Sequence, residues 1–155
     1  MLQVGDKFPD FFLRDQNGKE RTRDDLFDFF TVLFFYIKDD SPACIKEACD
    51  FGRMLKDIAS RQVQVIGVSS DCPLLHKKMC EANRLQFHLL ADEEKTLCKK
   101  CGLLKEKEVL GTKILACERT TFILDKTGSI LWLEHPAILE NHINRTRDAL
   151  KKFLN

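Results

Sequence analysis

Two apolar runs of β-strand character, Val32–Tyr36 (VLFFY) and Gln62–Val68 (QVQVIGV), flank a segment with helical spacing, Pro42 to about Ser60. That order constrains the fold more than any other feature of the chain. A continuous apolar strand requires cover on both faces, and strand–helix–strand is the unit from which parallel sheets are built. The helical segment has a marked start. Ser41 offers a hydroxyl for the N-cap, and Pro42 suits the first helical position, where its missing N–H costs nothing. Phe51, Leu55 and Ile58 follow at helical spacing.

The rest of the chain extends the alternation. Phe11–Leu13 and Glu20–Thr22 flank the turn signal Gln16-Asn17-Gly18 and read as an N-terminal hairpin. Asp24 is placed to cap a short helix or turn through Phe30. Pro73 opens a second helix through about Asn83, Phe87–Leu90 is a short strand, and Glu93 to about Lys100 is a third helix. A charged loop through Lys113 comes next. Thr120–Leu124 and Ile130–Leu133, joined by Asp125-Lys126-Thr127-Gly128, read as a second hairpin. Pro136 to Leu154 closes the chain as an amphipathic helix with Ile138, Leu139, His142, Ile143, Leu150 and Phe153 facing inward. The phenylalanines from Phe27 to Phe35 are assigned to the core. The expected fold is α/β, a sandwich of helices on a central mixed sheet, in a single domain spanning residues 1–155.

Charge excludes two partner classes. The chain carries 25 basic and 24 acidic residues for a formal net charge of +1, so nothing draws it electrostatically to nucleic acid or an anionic membrane. No apolar run approaches the ~20 residues needed to span a bilayer. The opening MLQVGDKFPDFFLRDQ is charged where a signal peptide would be apolar. The expectation is a cytoplasmic protein whose thiols stay reduced.

Seven cysteines are the chemistry-bearing residues. Cys44 falls in the first turn of the helix that begins at Pro42. Unpaired backbone N–H groups and the positive end of the helix dipole favour a thiolate there. It also stands at the carboxyl end of a strand, where open α/β sheets place their sites. Cys98 and Cys101 form CKKC, which puts two thiols on one helix face. That spacing suits helix thiols at the core edge, a second redox pair, or half of a zinc site completed by Cys72 and Cys80. The leading reading is structural, with no metal and no cofactor. Cys117 reads as a core or loop thiol. None of His76, His88, His135 and His142 sits near Cys44 in a recognisable pattern. Asp39-Asp40 reads as a solvated loop face. Lys46 and Glu47 lie in the first turns of the helix, where Glu47 suits the dipole; either is a candidate to join Arg119 in a polar network, which the sequence does not itself show.

Five segments in order, GDKFPDFFLRDQNGKE, FFYIKDDSPACIKEACDF, VIGVSSD, HLLAD and RTTFILDKTGSI, resemble the landmarks of a peroxiredoxin, most closely its Q-type or bacterioferritin comigratory branch. The likeness covers about Val4 to Leu133. It implies a thioredoxin-like fold and a thiol-dependent peroxidase that reduces hydrogen peroxide or organic hydroperoxides. By motif, Cys44 matches the peroxidatic cysteine, Ser41 the hydroxyl residue three positions earlier, and Arg119 the arginine that contacts peroxide and cysteine. Cys49 matches the resolving cysteine. The resemblance thus implies a Cys44 sulfenic acid and a Cys44–Cys49 intramolecular disulfide. Thioredoxin or a glutaredoxin-like dithiol protein would recycle it, with no dimer required. Ile37 stands where the family has proline, and Ala43 where this branch has glycine. The change at Ile37 keeps a second reading open: a peroxide-responsive redox sensor or disulfide-transfer protein using the same cysteines.

Helix geometry adds one expectation. Residues five apart on an α-helix are rotated by ~500° and separated by ~7.5 Å, whereas a disulfide needs Cα atoms within about 7 Å and convergent Cβ vectors. Joining Cys44 to Cys49 therefore requires the first turns of the helix to unwind.

Overall fold

The computed structural model describes residues 1–58 and 62–154; the expected helix end at Ser60 lies outside them. In chain order, β1 (Phe12–Arg14) and β2 (Glu20–Thr22) form a hairpin, and a 3-10 turn (Arg23–Leu26) follows. Then come β3 (Phe30–Phe35), α1 (Pro42–Ile58), β4 (Val63–Ser69), α2 (Pro73–Asn83), β5 (His88–Ala91) and α3 (Thr96–Lys100). The chain ends with β6 (Leu104–Val109), β7 (Thr112–Cys117), β8 (Thr120–Leu124), β9 (Ile130–Glu134) and α4 (His142–Lys151).

Seven strands make one mixed sheet in the order β2-β1-β5-β4-β3-β8-β9. β3, β4 and β5 run parallel, with Phe30 opposite Val63 and Phe35 opposite Val68. β8 pairs antiparallel to β3 and β9 to β8. The continuous apolar runs are explained by position: β3 and β4 lie mid-sheet and β8 is buried along its whole length. Alternation along β3 divides the core. Val32 and Phe34 pack with the α1 stripe and with Ala149 and Leu150 of α4. Leu33 and Phe35 pack on the opposite face with Phe8, Phe122, Leu97 and Cys98. Full burial of each such side chain contributes roughly 1.5–3 kcal/mol. Between the layers at Gly67 there is no spare room: a Cβ there would sit 2.7 Å from Leu89 Cδ2 and 2.9 Å from Phe34 Cζ.

The structure departs from the sequence reading in several places. The 3-10 turn is capped by Thr22, not Asp24; Thr22 and Asp25 form a capping box. The expected charged loop is a hairpin instead. β6 and β7 pair antiparallel through all six residues of each strand, from Leu104 opposite Cys117 to Val109 opposite Thr112. Their backbones pair while both faces stay largely exposed, so no apolar alternation announces them. α4 starts at His142 rather than Pro136. The His135–Pro136 peptide is cis, and the segment it introduces leaves Ile138 and Leu139 exposed. Phe27 and Phe29 are likewise exposed, unlike the buried Phe34 and Phe35.

Candidate active site

The inward face of α1 is a stripe of Cys44, Glu47, Ala48, Phe51 and Met54. This spacing of three and four residues is what one side of a helix presents to a sheet. Ile45 N donates to Ser41 O at 2.9 Å, so the first helical bond closes on Ser41, immediately before Pro42. Cys44 therefore occupies the first turn, and its side chain is fully buried beside Val32, Phe34 and Tyr36.

Arg119 comes to it from the short link between β7 and β8. Its Nη2 donates to Cys44 Sγ at 3.2 Å and its Nη1 to Glu47 Oε1 at 2.6 Å. Its backbone is pinned as well, because Ala137 N donates to Arg119 O at 2.7 Å. One guanidinium thus bridges a sulfur and a carboxylate from successive turns of α1, a use of its rigid fork that lysine cannot copy. Burial pushes the Glu47 carboxyl up to about 7 despite Arg119 beside it. Burial works against the charge of Arg119, but Glu47 and Cys44 together raise it further.

The polar chain continues inward. Glu47 Oε2 has no hydrogen-bond partner among the described residues and lies 3.9 Å from His142 Nε2. Thr121 Oγ1 is 2.8 Å from the same nitrogen. His142 Nδ1 lies 2.7 Å from Glu134 Oε2, which Arg145 holds from outside. Burial keeps His142 below the ordinary histidine range. So a histidine lies one residue removed from Cys44, through Glu47, where the sequence showed no pattern. Of the two candidates in the helix start, Glu47 joins the network, while Lys46 turns outward to Asp50. Beside Ala43 and Glu47 opens a cleft of ≈ 330 Å³ whose far wall includes Leu139 and Ile143.

Cys49, five residues on, leaves the stripe. It is half-buried and lines a groove with Arg84, Leu85 and Phe87. Cys44 and Cys49 are both free thiols. The segment before Ser41 is anchored, with Ile37 exposed and Asp39 buried. Asp39 is thus not part of a solvated face: Tyr36 Oη donates to its Oδ1 at 2.6 Å, and His76 Nδ1 lies 2.7 Å from its Oδ2. His76 Nε2 faces the Leu90 carbonyl at 3.0 Å. A carbonyl only accepts, so a further proton must lie between Nδ1 and Asp39. Asp40 is the exposed member of the pair.

The remaining cysteines also differ from expectation. Cys117 is not a free thiol; it is joined to Cys98 in a disulfide, so the chain's thiols are not all reduced. Cys101 does not pair with Cys98. It is fully buried, and burial followed by the nearby Asp92 push it up to about 12. Cys72 is the N-cap residue of α2 and Cys80 is on its inner side. The zinc alternative finds no ligand cluster: among the described residues no group of three or more His, Cys, Asp or Glu is placed to hold a metal ion. No helix among the described residues is long and apolar enough to cross a membrane.

Residues 4–133 match the AhpC/TSA family. The chain is 34% identical over 142 residues to the putative peroxiredoxin bcp of Coxiella burnetii, covering 92% of this chain and 94% of that protein. It is 33% identical over 150 residues to peroxiredoxin Bcp of Bacillus subtilis, with coverage of 97% and 96%. Among solved structures, BcpB of Mycobacterium tuberculosis superposes over the full length of both chains with a TM-score of 0.86 at 29% identity. The bacterioferritin comigratory protein of Xanthomonas campestris, described for its alkyl peroxide reduction activity, matches with a TM-score of 0.86 at 26% identity, covering 94% of this chain and 92% of its own. With a thioredoxin-like sandwich and this range of relatives, the chain belongs to the AhpC/TSA family, in its Bcp and peroxiredoxin Q branch of thiol peroxidases.

Proposed function

We propose that Cys44 is the thiol that attacks the hydroperoxide, with Arg119 and Ser41 positioning the substrate and Cys49 resolving the product. The observation that carries this reading is the Arg119 Nη2 donor on Cys44 Sγ at 3.2 Å in the first turn of α1. Among the described residues the Ser41 hydroxyl has no protein partner, which leaves it free to meet a peroxide oxygen. The Cys44 sulfur attacks the terminal oxygen of the peroxide in line and the O–O bond breaks. The other oxygen leaves with the bond's electron pair and is protonated to water or an alcohol. Donors already aimed at the site stabilise the charge that develops there. Cys44 is left as a sulfenic acid. The Cys49 sulfur then attacks the Cys44 sulfur, water leaves, and a disulfide joins them. A dithiol protein of thioredoxin or glutaredoxin type returns two electrons and two protons. Hydrogen peroxide and organic hydroperoxides both fit this chemistry, and the Xanthomonas relative is described for alkyl peroxide reduction. The protein works as a monomer in the cytoplasm on this reading, since both cysteines lie on one helix.

The test is peroxide consumption at one equivalent by wild type, Cys44→Ser and Arg119→Ala, each with the Cys98–Cys117 bridge closed and its other thiols reduced. Consumption should vanish in the first variant. In the second it should slow by about 10²–10³, as expected for loss of one preorganised donor. Equal consumption by wild type and Cys44→Ser would remove Cys44 from the mechanism, whereas slow consumption by wild type with stoichiometric oxidation of a partner thiol would favour the sensor or disulfide-transfer alternative.

A further inference from the structure

The Cys98–Cys117 disulfide takes no part in the chemistry at Cys44. It spans 19 positions of sequence and joins α3 to the last residue of β7. It also lies across the sheet from Cys44: Cys98 and Cys117 pack with Leu33, Phe35 and Phe122, whereas Cys44 packs with Val32 and Phe34.

What the bridge holds is the β6–β7 hairpin, whose strands, among the described residues, pair with each other alone. Non-covalent contacts also anchor the hairpin near its base, among them Glu118 with His135 and Lys105, and Leu103 and Leu104 in the core. Glu118 N donates to Leu103 O at 2.9 Å, Leu103 N to Cys98 O at 3.0 Å, and Lys95 Nζ to Leu115 O at 2.9 Å. Immediately past that base the chain delivers Arg119, two residues after Cys117. The bridge is thus the covalent tie nearest the guanidinium that meets Cys44.

We propose that Cys98 and Cys117 form a second redox site, opened by a dithiol reductant, whose closed state holds Arg119 against Cys44. Cys98 is 1% exposed while Cys117 is half-buried, so a reductant thiolate attacks Cys117 Sγ. A mixed disulfide forms there, the Cys98–Cys117 bond breaks, and its electron pair leaves on the Cys98 sulfur, which takes a proton. The reductant's second thiol attacks its own sulfur in the mixed disulfide and releases Cys117 as a thiol. The reductant is oxidised by two electrons, and the bridge takes up two electrons and two protons. One hydroperoxide closes it again: one thiol becomes a sulfenic acid as water or an alcohol leaves, and the other sulfur attacks it, forming the S–S bond as water leaves. Cys101 stays out of the exchange, because it is buried and remains protonated well above neutral pH. Accessible disulfides are the labile, regulatory class, in contrast to fully enclosed ones. With the bridge open, the hairpin base loses its covalent tie, and the Arg119 backbone is left to the Ala137 hydrogen bond and the start of β8.

Thiol mapping on the full chain tests the first half. Protein treated with one equivalent of hydrogen peroxide is exposed to graded dithiothreitol, then denatured in iodoacetamide and mapped by mass spectrometry. Cys98 and Cys117 should be protected at first and become labelled together at dithiothreitol concentrations at which the protein still unfolds cooperatively in urea. Labelling without dithiothreitol, or protection that lasts until the protein unfolds, overturns the proposal. Stoichiometric peroxide consumption tests the second half. Cys117→Ser leaves the buried Cys98 in place and should slow consumption by at least about tenfold, within the range that a small misplacement costs. Cys98→Ala should slow it equally from the other end of the bridge, and wild type with its bridge reduced should match both when the rate is read as oxidation of Cys44 by thiol mapping. Wild-type rates in either variant, or no change when the wild-type bridge is opened, overturn the link to Arg119. Since the mapping does not use Cys44, it stands even if the peroxidatic assignment fails.

Discussion

Arg119 reaches Cys44 across 75 positions of sequence, and only the resemblance of its segment to known peroxiredoxins pointed to it. Cys44 was legible differently, from Ser41-Pro42 and the physics of a helix start. Glu47 was visible only as one of two candidates. Its role depends on a link after β7 and on α4, which no local pattern places beside it. The consequence is a measurable pH dependence. Burial raises Glu47 from 4.5 to about 7, so the folded state binds its proton more tightly than the unfolded chain does. Its contribution to stability is then fully present below about pH 4.5 and lost as pH rises through about 7. His142, lowered by burial from 6.5, acts in the opposite sense, losing its contribution as pH falls. Urea unfolding of wild type and Glu47→Gln across this range separates them. The stability difference, wild type minus variant, should decrease from pH 4.5 to 7; a flat difference would remove the titration from Glu47.

At the scale of elements, α1 was legible because its stripe, its N-cap serine and its first-turn proline agree. The β6–β7 hairpin was not, because Lys105, Glu106, Lys107 and Glu108 have neither apolar face nor turn spacing that distinguishes a strand from a loop. Their pairing is carried by backbone hydrogen bonds. The start of α4 was missed for a related reason, since apolar Ile138 and Leu139 mimic a helical face that is in fact exposed. The intact α1 also sets a requirement. Cys44 faces the core and Cys49 a groove on another side, so their disulfide cannot form without breaking helical hydrogen bonds. Oxidation with one equivalent of peroxide should therefore lower far-UV helical signal and deprotect amides around residues 42–50 in hydrogen exchange. Identical spectra and exchange in both redox forms would show that Cys49 does not resolve Cys44. The Tyr36–Asp39–His76 cluster fixes the chain just ahead of the moving segment, so the loss of helix should stop short of it.

The whole molecule is a sheet with two different interiors, and the alternating order of runs along the chain foretold that architecture. The sequence did not foretell how tightly the layers close at β4. The absent Cβ of Gly67 would meet Leu89 and Phe34 at 2.7 and 2.9 Å. Gly67→Ala should destabilise by about 1–3 kcal/mol, the usual cost of overpacking, read from the urea midpoint; an unchanged midpoint would mean that the two side chains retreat freely. The antiparallel addition of β8 beside β3 has a further consequence, in time rather than space. As the chain is synthesised from its N-terminus, β3 and α1 emerge with Cys44 long before β8, its preceding link and α4 exist. Until then β3 has an open edge, and the cysteine has neither its guanidinium nor the histidine behind Glu47. The thiol is made early and its chemistry late, so a ribosome-bound or truncated chain presents Cys44 as an ordinary cysteine.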